Sequence, residues 1–155
     1  MNRDQVRRRQ SARAILLDEG GRVLLLRFDI VRGGAPFVFW ATPGGGVEPG
    51  EDPLAAARRE IAEELGLRLK LTGPVHQARD RFEHEGEVVD NLDLFFLGAC
   101  GSTEPKLGWR TEAERKALSE LRWWTADEIE TSAETIFPSD LAALVRRCAD
   151  NPAPL

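Results

Sequence analysis

"PGGGVEPGEDPLAAARREIAEELGL" (Pro43–Leu67) joins a glycine turn to a helix and decides how the rest of the chain is read. Asp52 is a good helix cap, Pro53 fits the first helical position, and Ala55, Ala56 and Ala57 favour helix. Gly66 supplies the stop, so the stretch predicts a helix over Pro53–Leu65. That helix carries Glu60, Glu63 and Glu64 within five residues. Like charges at this spacing destabilise a helix by about 0.2–0.5 kcal/mol per pair, so something positive is expected between them.

Working outward, "RAILL" and "RVLLLRF" are two apolar runs divided by "DEGG", the pattern of a hairpin. "IVRGGAP" reads as a loop and "FVFWA" (Phe37–Ala41) as an aromatic strand running into the glycines. Beyond the helix, "LRLKLTG", "VHQARDRF" and "VVDNLDLFFLGA" alternate as strands, with "EHEGE" turning between the last two. A polar stretch from Gly101 to about Ser119 is long for a compact domain, which marks it as functional or mobile. "ELRWW" reads as the final strand, with Trp123 and Trp124 on opposite faces. Thr125 and Glu128 make a capping box, and "SDLAALVRRCA" is a closing amphipathic helix. Helices in the middle and at the end of a strand-rich chain imply an α/β class, a mixed sheet covered on both faces.

The 155 residues, 42% hydrophobic and 30% charged, suit a single domain over 1–155. The arginine run Arg7–Arg13 reads as part of a solvated tail, with residues 1–10 flexible. A net charge of −5 speaks against a duplex nucleic-acid partner, while a free nucleotide remains a suitable one if a metal carries the positive charge. No apolar run approaches the ~20 residues that span a bilayer, and no secretory signal is recognisable, so no membrane partner and a cytoplasmic location are expected. Cys100 and Cys148 have no neighbours at zinc-ligand spacing, and His76 and His84 lack the partners of a histidine-based triad.

At about 100° per residue Glu60, Glu63 and Glu64 share one arc of the helix, beside the stripe of Leu54, Ile61 and Leu65. Arg59 can pair with Glu63 one turn on, whereas Glu60 and Glu64 lack a comparable cation on their own stripe. Ala56 falls inside the acidic arc and is small enough to leave space above the carboxylates. Gly44, Gly45 and Gly46 allow the backbone to approach a ligand closely. Carboxylate and backbone oxygens are hard donors suited to Mg²⁺, with Mn²⁺ as substitute, and such ions bridge phosphate oxygens. The competing reading is a solvated face held by ion pairs.

Gly45, Glu51, Arg59-Glu60-Ile61, Glu63-Glu64 and Gly66-Leu67 stand at the spacing of the Nudix box, and the chain resembles that family over about residues 10 to 148. The resemblance implies an α/β/α sandwich with a mixed β-sheet between helices. It further implies a hydrolase acting on a nucleoside diphosphate linked to another moiety, a small-molecule nucleotide substrate. Metal ligands by resemblance are Glu60, Glu63 and Glu64 with the carbonyl of Gly44. Arg59 and Glu51 would hold loop and helix in register, with Gly45 and Gly66 as structural box positions. The implied mechanism is attack by a metal-activated water on a phosphorus. Glu63 or Glu64 is a candidate base, and the family's habit of placing a carboxylate before the last strand points to Glu112 or Glu114, of which Glu114 is preferred.

Substrate choice lies outside the box. Past it, where relatives of particular specificity carry proline or tyrosine, this chain has Glu83, and it contains no tyrosine. Phe82, Trp109 and Trp40 are candidates for stacking on a base, and Arg27 or Arg32 for touching phosphate, with Trp40 more at home in the core. Two other functions share the pattern: a nucleotide-sensing module without turnover, and a prenyl-diphosphate isomerase, which would call for a cysteine in the site. Relatives are often dimers, which the exposure of "FVFW" and "DLFFL" bears on.

Overall fold

The computed structural model describes residues 6–84, 86–101, 103–108 and 111–150. Eight strands form one mixed sheet: β1 (Val6–Leu17), β2 (Val23–Arg32), β3 (Ala35–Ala41), β4 (Gly44–Gly46), β5 (Thr72–His84), β6 (Glu87–Ala99), β7 (Leu118–Trp124) and β8 (Ile136–Phe137). Their order is β5-β6-β1-β2-β3-β8, with β4 added to β1 and β7 to β2. The β1–β6 and β3–β8 pairs are parallel and the others antiparallel.

Helices cover both faces. Helix α1 (Pro53–Leu65) buries Ala56, Ala57, Ile61 and Leu65 against Ala12, Ala14 and Leu16 of β1 and Leu24 and Leu26 of β2. On the other face, α4 (Leu141–Asp150) lays Leu141, Leu144 and Val145 on Ile15, Val23, Leu25 and Trp124. Among the described residues there are two further, short helices, α2 (Glu112–Ala117) and α3 (Ala126–Thr131). The alternation of β1 and β2 thus feeds two cores, one per face. Trp123 and Trp124 part between them as the two-residue period requires.

Helix α1 has the bounds read from its caps. Asp52 accepts a bond from the amide of Ala55, and Gly66 takes the left-handed conformation at φ 65° and returns its amide to Ala62. The Thr125 and Glu128 capping box is also present, with reciprocal bonds of 3.1 and 2.9 Å.

Several expectations are corrected. Residues 6–10 are no flexible tail: β1 begins at Val6 and pairs residue for residue with β6, from Val6 beside Val88 to Leu17 beside Ala99. Main-chain bonding holds this end of the strand, and its exposed arginines give no hydrophobic sign of it. "IVRGGAP" is no loop either, because β2 and β3 continue through it to a turn at Gly33–Gly34. Leu67–Leu71 alternates without joining the sheet: Leu67 and Leu71 are buried over α1 and Leu69 is partly so, hence the pattern there reports burial only. "ELRWW" lies in β7, but the two-residue β8 follows it. Ala56 is wholly buried and belongs to the core packing of α1.

Trp40, Phe95, Phe96 and Leu97 are buried, whereas Phe37, Val38, Phe39 and Leu94 are half-buried, Phe37 and Phe39 beside the exposed Phe137. Among the described residues no helix is long and apolar enough to cross a membrane. Ile61 is completely buried, so Ile61→Ala should cost about 2–5 kcal/mol. Urea denaturation checks this, and a midpoint unchanged from wild type would show that the helix does not depend on this core.

Candidate active site

Arg59 is the hub of the glycine turn and α1. Its Nε and Nη2 donate in parallel to the two carboxylate oxygens of Glu51, each at 2.9 Å. Nη2 also donates to the carbonyl of Gly46 at 3.2 Å, and Nη1 to Glu60 at 3.0 Å and Glu63 at 3.4 Å. Glu51 in turn accepts the amide of Glu48. Arg59 therefore serves Glu60 as well as Glu63, and Glu60 does have a cation nearby. Its guanidinium holds the Glu51 carboxyl down at about 2, and the acids around Arg59 keep its own proton more firmly bound.

The glycines are needed because β4 is squeezed between two charged layers. A β-carbon on Gly45 would lie 2.6 Å from the Glu60 carboxyl carbon. One on Gly44 would lie 2.3 Å from the Ala12 carbonyl oxygen and 2.6 Å from the Arg13 α-carbon, and one on Gly46 would meet the Arg9 guanidinium at 3.3 Å. Gly44 also has φ 145°, which side chains disfavour. Successive glycines thus look alternately toward the arginines of β1 and the acids of α1.

Glu64 lies at the seam. Its Oε1 accepts the amide of Gly44 at 3.0 Å. Burial, followed by the charge of Glu60, pushes its carboxyl up to about 8, with Glu114 adding to the rise and the Gly44 amide and Arg13 opposing it. Glu114, in the first turn of α2, is thereby electrostatically coupled to the cluster. The polar stretch before α2 is fixed here as well, since the amides of Lys106 and Gly108 donate to the last carbonyls of α1, those of Leu65 and Glu64.

Among the described residues no three carboxylates, histidines or cysteines already surround a common point. Glu60 and Glu63 are turned toward Arg59. The donor set still fits a hard cation: all donors are oxygen, and Glu60, whose charge comes second to burial in raising the Glu64 carboxyl, adds negative charge that an ion would offset.

A cavity of about 810 Å³ opens on the β1 side of the glycines, a size suited to a nucleotide. Phe82 and Arg32 line it, and Arg32 stacks over Phe37 with 5.3 Å to the ring centroid. Arg27 is not among the lining residues and donates to Ser119 at 2.9 Å. Trp40 is buried, its indole bonded to Glu134, and Trp109 lies outside the described residues. Cys100 and Cys148 are buried and border no part of the cavity, and burial raises both thiols, that of Cys100 to about 11.

The sequence reading missed the polar floor of this cavity. Ser11 donates to Asn91, Asn91 donates to Asp93, and the Arg13 guanidinium bonds both Asp93 and the Thr42 carbonyl. The available signal was polar residues two apart within strands, Arg9-Ser11-Arg13 and Asn91-Asp93.

The family model described as the NUDIX domain matches residues 7–148. The nucleoside triphosphatase NudI of Enterobacter sp. (strain 638) is 43% identical over 121 residues, covering 75% of this chain and 82% of that protein. The E. coli K12 (DH10B) protein of the same name is 51% identical over 57 residues, 37% of this chain and 40% of its own. Among solved structures, the MutT protein of Methanosarcina mazei Go1 superposes with a TM-score of 0.67 at 23% identity, covering 96% of this chain and 99% of that one. The MutT NUDIX hydrolase of Burkholderia pseudomallei gives 0.63 at 24%, covering 88% and 95%.

Two outcomes are expected. Gly45→Ala should displace the Glu60 carboxylate and lower kcat by at least about tenfold, with circular dichroism unchanged; an unaffected rate would mean that the close approach is unimportant. For metal-free protein, the Glu64 carboxyl is protonated in both states below about pH 4.5. Between that and about 8 the unfolded chain ionises while the folded one keeps its proton, so stability falls as pH rises through the window. Thermal melts in EDTA should show a shallower fall for Glu64→Gln; parallel profiles would contradict the assignment.

Proposed function

We propose, since this chain belongs to the Nudix hydrolase family, that it is a divalent-cation-dependent pyrophosphohydrolase whose substrates include nucleoside triphosphates. A nucleoside triphosphate is a nucleoside diphosphate linked to phosphate, and the nucleoside triphosphatase name of the 43%-identical relative favours this choice within the wider class. The observation that carries the proposal is the contact between the two halves of the site. Arg13 lines the nucleotide-sized cavity and pairs across the strands with Gly44, whose amide donates to Glu64.

Glu60, Glu63 and Glu64, with the Gly44 carbonyl, would hold Mg²⁺ or Mn²⁺. Such an ion, when bound, neutralises phosphate oxygens and acidifies water. The protein's own groups do the rest. Arg59 and Glu51 fix the loop against α1, so that the carboxylates meet the substrate in a set geometry. Arg13, already oriented by Asp93 and Thr42, presents positive charge toward the phosphates. Phe82 and Arg32 line the cavity as candidate partners of the nucleoside. Glu114 is the proposed acceptor of the proton lost by the attacking water, its charge being felt by Glu64. Glu63 or Glu64 is the alternative acceptor.

The test is product separation from nucleoside triphosphates, nucleotide sugars, ADP-ribose and dinucleoside polyphosphates, with Mg²⁺ or EDTA. Cleavage of triphosphates only with Mg²⁺, reduced about 10²–10⁴-fold in Glu64→Gln and at least tenfold in Glu114→Gln, is the expected result. Metal-dependent nucleotide binding without turnover of any compound would move the protein to the sensing class. Wild-type rates in Glu114→Gln would remove that residue from proton transfer.

A further inference from the structure

The stretch that looks like a solvated arginine tail supplies a face of the cavity. Along β1 the two-residue period brings Arg9, Ser11 and Arg13 to the cavity, whereas Arg8, Gln10 and Ala12 do not line it. Arg13 is committed to Asp93 and Thr42. Arg9 differs: no carboxylate of the described residues pairs with it, although the chain has an excess of acids. Its guanidinium lies against Gly46, the residue whose carbonyl accepts from Arg59. An exposed arginine usually keeps its side chain free in water. This one is laid over main chain that lacks a side chain, at the border of a cavity and beside a strand whose far side carries Glu60.

We propose that Arg9 is a substrate-binding residue of this site, receiving the polyphosphate chain on the β1 side of the glycine strand while Glu60, Glu63 and Glu64 serve the opposite side. The inference deepens the nucleotide-hydrolase reading and rests on it. A planar guanidinium fits two phosphate oxygens at once, and its own pairing requirement is left open for an anion. Glycine at position 46 lets that guanidinium lie close to the main chain beside the acids, so one phosphate chain can meet both the arginine and the carboxylate side.

The experiment is calorimetric titration of inorganic triphosphate, in Mg²⁺ at low salt, into wild type, Arg9→Ala, Arg9→Lys and Arg8→Ala, together with KM and kcat for nucleoside triphosphates. Arg9 is exposed, and unchanged thermal melts will confirm that its variants fold. Expected are about 10–100-fold weaker binding in Arg9→Ala, partial recovery in Arg9→Lys, a change within about twofold in Arg8→Ala, and a loss carried by KM more than by kcat. Equal binding by Arg9→Ala, an equal loss in Arg8→Ala, or no binding by wild type would overturn the proposal. Triphosphate binding that depends on Arg9 without turnover of any nucleotide would instead sink the hydrolase reading and leave this one standing.

Discussion

The Arg59 guanidinium carries the geometry of the site. It spends its donors on Glu51, Gly46, Glu60 and Glu63, which belong to the connecting loop, the glycine strand and the helix. Bonds to Glu51 are parallel and charge-assisted, the stronger kind, and they fix the plane of the guanidinium. With that plane set, Glu60 and Glu63 both accept from the same Nη1. Lysine could not replace it, having one point charge and no fork. The same arrangement explains why the acids, which repel along α1, do not unwind it: part of the compensation comes from a residue of the helix itself.

The glycine strand converts that clamp into a site. Three residues without side chains let the acids of α1 and the arginines of β1 come within one peptide strand of each other. Glu60 contributes from the helix, and Glu64 reaches through to the amide of Gly44. In an uncrowded turn the glycines would be only flexible; here they are thin.

What the sequence made legible follows from where the physics is local. The bounds of α1 could be read because Asp52, Pro53 and Gly66 act on neighbouring main chain, and the caps of α3 for the same reason. The acid cluster and its glycines were legible because they fall within one short segment. By contrast, the start of β1 depends on β6, some eighty residues away, so no pattern within Val6–Gln10 announces it. The cavity floor suffers likewise: Ser11, Asn91 and Thr42 meet only once the sheet has formed. Arg27 was a candidate for touching phosphate, and the register of β2 against β7 turned it to Ser119 instead. At Leu67–Leu71 the opposite error arose, an honest alternation produced by packing without pairing.

The way the segment before α2 is fastened to α1 has a bearing on how such a chain can diverge. Its holds on the helix are main-chain amides, those of Lys106 and Gly108, which most residues could offer equally well. At position 108 a side chain is unwelcome, since a β-carbon would stand 2.9 Å from the carbonyl oxygen of Glu63. Leu107 aside, which packs on the core beneath α1, the fastening asks less of side chains than of spacing: one residue more or fewer between the two amides would break their register on the helix. The chemistry of the helix is thus tied to the spacing of that segment more than to the residues on its surface.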